Sequence, residues 1–133
     1  MTEGFRHKDV WIMDGRGFCV QVSRHSVDFA EYDGPHRWCI YAFIYPKHEH
    51  FTRFDGTEDM FQSACSALPL HAGPSFLRKH QNSQGEVVSY QVGCDYNHYG
   101  DDHYTHYATP EDALSIFQDA CDLYAWLTPE SQK

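Results

Sequence analysis

At 133 residues, with 41% hydrophobic and 16% aromatic content, the chain has the size and composition of one globular domain with its own core. Its net charge of −9, with ten Lys and Arg scattered along the sequence, lacks the clustered cations that binding to a nucleic-acid backbone requires. No apolar run approaches the roughly 20 residues needed to span a bilayer, and the N-terminal MTEGFRHKDVW has no apolar signal core, so the expected location is the cytoplasm.

In chain order, residues 10–13 read as a short strand, and Asp14-Gly15-Arg16-Gly17 is a hairpin signal between apolar runs. The next strand, 18–23, places Phe18, Val20 and Val22 on one face. Residues 24–36, ending in Asp-Gly-Pro-His, read as a loop. The strongest strand is 37–45, RWCIYAFIY. Trp38, Ile40, Ala42 and Ile44 line one face and Cys39, Tyr41, Phe43 and Tyr45 the other, so both faces are apolar and the strand belongs in the centre of a sheet.

Beyond Pro46, His48 and His50 flank Glu49. A helix is expected over 57–68, capped by Thr57 and carrying Met60, Phe61, Ala64, Cys65 and Leu68 as its apolar stripe. After a Pro- and Gly-rich loop, 75–81 and 86–96 read as a hairpin around Asn82-Ser83-Gln84-Gly85, with Val88, Tyr90, Val92, Cys94 and Tyr96 sharing a face. The segment 95–107 gathers His98, His103 and His106 with Asp95, Asp101 and Asp102. Residues 103–108 are expected to form a short strand. The clearest helix is 110–127, where Thr109 is the N-cap, Pro110 fits the first position and Asp112 completes a shortened capping box. Its apolar rows include Ala113, Phe117, Ala120, Tyr124 and Leu127.

The expected architecture is a single α+β domain: a mostly antiparallel sheet of about six strands with two helices, 57–68 and 110–127. Parts of the text recur. His50-Phe51-Thr52-Arg53-Phe54 parallels His103-Tyr104-Thr105-His106-Tyr107, and Phe61-Gln62-Ser63-Ala64-Cys65 parallels Phe117-Gln118-Asp119-Ala120-Cys121. This suggests two pseudo-repeats, 10–68 and 75–127, each a β-meander followed by a helix.

Five cysteines at wide spacing, each among apolar neighbours in an expected strand or helix, read as reduced core thiols rather than a disulfide framework. Cys94, beside Asp95 and four residues before His98, is the one candidate nucleophile among them, though nothing in the sequence brings a base to it.

Two functional classes follow. The first is a non-enzymatic interaction protein that binds a protein partner, with a basic surface or as a homodimer. Its contact residues are Tyr41, Phe43, Tyr45, Tyr99 and Tyr104, since aromatic side chains are enriched at interface cores. The composition resembles that of small accessory or inhibitor proteins of phage and other mobile elements. The alternative is a protein binding Zn or another divalent metal through His48, His50, His98 and His103, with metal-assisted hydrolysis through a metal-bound water as the activity such a site would support. No nucleotide-binding glycine motif occurs, so no nucleotide cofactor is implied.

Overall fold

The computed structural model describes residues 8–27, 33–55, 62–98 and 100–129. Among these residues, five strands form one antiparallel sheet: β1 (Lys8–Gly15), β2 (Phe18–Ser26), β3 (His36–Ile44), β4 (Phe76–Gln81) and β5 (Val87–Asp95). Their order is β1-β2-β3-β5-β4, so the strand that is apolar on both faces is the central one. The hairpin between β1 and β2 closes on Arg16-Gly17, where Gly17 takes φ +79°, a conformation that a side chain disfavours.

The helices are α1 (Ser63–Ser66) and α2 (Leu114–Leu127), and two 3₁₀ segments span Phe51–Phe54 and Asp102–His106. The expected strand over 103–108 is therefore a 3₁₀ segment, and the sheet has five strands rather than about six. Local bonds decide this. Tyr104 N donates to Asp101 O and Tyr107 N to Tyr104 O, while the Thr105 hydroxyl is held by Asp102 O. Thr105 Oγ1 also accepts from Gly34 N at 2.7 Å, which ties the segment to the start of β3.

Of the helix expected over 57–68, the described residues keep only the single turn α1: Gln62 is extended at ψ 159° and Ala67 is already the C-cap, while Cys65 and Leu68 are buried as the stripe requires and Thr57, Met60 and Phe61 lie outside the described residues. In the other helix, regular geometry begins at Leu114 after turns over 110–113. The expected Thr109 cap is displaced: Asp112 N donates to Thr109 Oγ1 at 3.2 Å and Asp112 Oδ2 accepts from Ala108 N at 3.3 Å in the turns ahead of the helix, while the N-cap itself is Ala113, which has no side-chain cap bond.

Strand register sorts the side chains into two faces. Phe18, Val20, Val22, Trp38, Ile40, Ala42, Ile44, Tyr90, Val92, Cys94 and Tyr96 are buried on one face, with Ala113, Ile116, Ala120, Leu123 and Leu127 of the α2 segment and Phe54, Cys65 and Leu68 packed against them. Val88 was expected on the same face but is 42% exposed, because the β4–β5 register shifts at His80/Gln81 and drops it from the alternation. In chain order a three-strand meander, a 3₁₀ segment and α1 precede a hairpin, a second 3₁₀ segment and α2, and β3 pairs with β5. The halves differ in strand number: three precede α1 and two precede α2.

Candidate functional sites

The second face of the sheet carries Cys19, Gln21 and Ser23 of β2, Cys39, Tyr41 and Phe43 of β3, Ser89, Gln91 and Gly93 of β5, and Phe76 of β4. Among the described residues no helix packs on it: the helical residues of the core all join the opposite face. Its aromatic rings lie down across the strands. The Tyr41 ring covers Gly93, where an added Cβ would come within 2.4 Å of both Tyr41 Cδ1 and Ile40 O. Tyr41 meets Phe76 edge-on at 5.2 Å, and Phe43 stacks on His80 at 6.1 Å. Tyr45, 37% exposed, places its hydroxyl 3.5 Å from Cys19 Sγ. Burial pushes the Tyr41 phenol well above its ordinary pKa. Charged groups on this face, Asp14, Arg37, Asp95 and Arg78, stand at strand ends or on the edge strand β4.

Tyr104, also expected at a contact surface, packs instead against Tyr96 at 4.9 Å and His71 at 5.4 Å on the helix-bearing side. Tyr99 lies outside the described residues.

The four histidines expected to hold a metal occupy different places. His48 is 4% exposed; its Nε2 bonds Leu127 O at 2.7 Å, and its Nδ1 accepts from His50 N at 3.0 Å. That makes it a structural tie at the C-terminal end of α2, where an imidazole N–H meets a carbonyl left over by the helix. His50 sits beside it, 5.6 Å from the Trp126 ring. His103 is exposed and lies against Tyr104 at 4.0 Å.

His98 belongs to another group. Among the described residues, one set of three or more metal-type side chains converges: His71, His98 and Asp101, with ligand atoms all within 4.8 Å of one another. Asp101 is 6% exposed; His71 Nε2 lies 2.9 and 3.0 Å from its two oxygens, and His98 N donates to Oδ2 at 2.9 Å. Burial alone would raise the Asp101 carboxyl, but the His98 N–H and the His71 ring outweigh it and hold the group below the ordinary carboxylate range. His71 is stacked on Tyr96 at 4.4 Å and 15°. Sequence reading gave His71 no role: it lies in a Pro- and Gly-rich turn, 27 residues before His98, and no spacing rule links the two.

Cys94 is 2% exposed and burial pushes its thiol up to about 12, so it stays a thiol at neutral pH and packs as a small apolar residue. No helix among the described residues is long and apolar enough to cross a membrane. No protein-family model, curated protein or solved structure matches the chain.

Proposed function

We propose that this chain is a small protein-interaction module that acts by binding rather than by catalysis, and that the occupant of its open sheet face is a second copy of itself. The observation that carries this reading is the one-sided packing: the described helices cover one face, and Tyr41, Phe43, Tyr45 and Phe76 pave the other. Strands of nine residues at about 3.3 Å each, five strands wide at about 4.8 Å, give a face of roughly 600–700 Å². Ser23 and Ser89 on this face are already buried at 1% and 6%, so a second copy would meet chiefly the aromatic rings and the exposed Val10 and Ile12 of β1.

Charge favours a second copy over a basic partner. The middle of the face is uncharged, so it offers a basic surface no local counter-charge. The −9 of each copy repels only at longer range, where salt screens it. The cytoplasm fits the same reading, because Cys19, Cys65 and Cys94 are used as small buried residues.

Sedimentation of the wild type and of a Tyr41→Ser/Phe43→Ser variant tests the proposal. The expected result is a dimer whose fraction rises with salt, and a folded monomer for the variant. A wild type that is monomeric at every concentration, or a dimer untouched by both substitutions, would overturn it.

A further inference from the structure

We propose that His71, His98 and Asp101 form a binding site for one divalent transition-metal ion of the zinc class. The site does not depend on a partner at the aromatic face, although Asp95, at the end of β5, adjoins both. Its three donors come from two loops. His71 lies in the turn between α1 and β4; His98 and Asp101 lie in the turn between β5 and the 3₁₀ segment Asp102–His106.

The loops are held in place by bonds that leave the donor atoms pointing inward. Asp101 N donates to His98 O and His98 N donates to Asp101 Oδ2, both at 2.9 Å, so the turn is closed on itself. The His71 ring is fixed between Tyr96, stacked at 4.4 Å, and Tyr104, edge-on at 5.4 Å. The next residue, Ala72, sits at φ +58°, a left-handed conformation that costs a side-chain-bearing residue free energy and that is concentrated at functional sites.

The spacing suits a metal. Zinc bonded to nitrogen and oxygen at about 2.0–2.1 Å in tetrahedral geometry places its donors about 3.3 Å apart. Here the three ligand atoms lie within 4.8 Å of one another: His71 Nε2 is 2.9 Å from Asp101 Oδ1, a hydrogen bond whose place an ion would take, and His98 Nδ1 is 3.3 Å from Asp101 Oδ2. A second observation is independent of this spacing. His98 Nδ1 is a buried atom of a half-buried side chain, and it makes no well-aligned hydrogen bond although Asp101 Oδ2 lies 3.3 Å away. A buried polar nitrogen is ordinarily satisfied, and an ion between the three groups would satisfy this one. Two imidazoles and one carboxylate are a donor set for zinc and its first-row neighbours rather than for calcium or magnesium, which take oxygen. Asp95, whose Oδ1 is 3.5 Å from the same His98 nitrogen, is half-exposed at the rim and is placed to take a fourth position or to hold a water there.

The test uses the full chain stripped with chelator and titrated with Zn²⁺ alone, read by calorimetry and by melting. One ion per chain and a raised melting temperature are expected. His71→Ala, His98→Ala and Asp101→Asn should each lower the affinity at least tenfold. Asp101→Asn keeps an oxygen to accept from His98 N, so it reports on the ion even where a histidine variant fails to fold. Co²⁺ loaded in place of zinc should show the visible absorption of a four- or five-coordinate site, and this should vanish in the same variants. His48→Gln and His103→Gln should retain the ion. Absence of stoichiometric binding, or binding that survives the first three variants and is lost with His48→Gln or His103→Gln, overturns the assignment.

Discussion

Gly93 shows how much of the open face rests on one missing side chain. Its Cβ position is 2.4 Å from Ile40 O and from the Tyr41 ring, and the carbonyl belongs to a central strand that cannot retreat. Gly93→Ala should therefore cost about 1–3 kcal/mol, as overpacking usually does, and should lift Tyr41 away from Phe76. Urea unfolding measures the first effect and tyrosine fluorescence the second; an unchanged midpoint would mean that β5 shifts aside freely. Tyr41 and Phe43 were legible as a face because alternation in RWCIYAFIY needs no knowledge of neighbours. Phe76 was not, since only the pairing of Phe76 with Gly93 brings it to the Tyr41 ring. His71 was hidden for the same reason: its partners are 27 and 30 residues away and meet it through the fold.

The turns leading into α2 and its C-terminal end are secured by different means, and the sequence disclosed only the first. Thr109 and Asp112 exchange hydrogen bonds with the backbone at the N-terminal turns, a local pattern written in adjacent residues. Thr109→Ala should cost about 1 kcal/mol, which for a domain of this size lowers the melting temperature by about 3–4 °C, with circular dichroism at low temperature unchanged. A loss below half a degree would show that the turns over 110–113 bear the cap without the hydroxyl. The C-terminal end is held by His48, 79 residues away, and no local signal foretells that bond. The segment 102–106 misled for the converse reason. Its mixed polar and aromatic residues imitate an alternating strand, yet short-range carbonyl bonds and the Gly34 amide claim its backbone and Thr105 first.

The α+β class and the central place of β3 followed from the succession of apolar runs and from one strand with two apolar faces. The order β1-β2-β3-β5-β4 did not, because strand neighbours are chosen by contacts between distant segments. The acid response of the folded protein is also a property of the assembled domain. Burial, and then Arg24 and Arg37, pull the His36 pKa below its ordinary value; burial, and then Arg53, do the same for His50. Both rings are thus kept neutral in the fold and gain protons more readily when it opens. Stability from these two sites is full above about pH 6.5 and declines as pH falls from there toward their lowered native values. Melting temperatures of a His36→Gln/His50→Gln variant should fall less between pH 7 and pH 5 than those of the wild type. Parallel curves for the two proteins would show that neither ring contributes.

The central strand has a history within each molecule as it is made. Val87, where β5 begins, follows Ile44, where β3 ends, by 43 residues. At about 5–20 residues per second, a ribosome takes roughly 2–9 s to cover that interval. Through those seconds β3 stands at a bare edge of the meander of β1, β2 and β3, and α2, which will cover Ile40 and Ala42, has not been synthesised. The strand that is apolar on both faces is therefore left waiting for its second neighbour. Its hazard lies in nascent chains meeting one another on crowded polysomes, a danger that passes once β5 is in place.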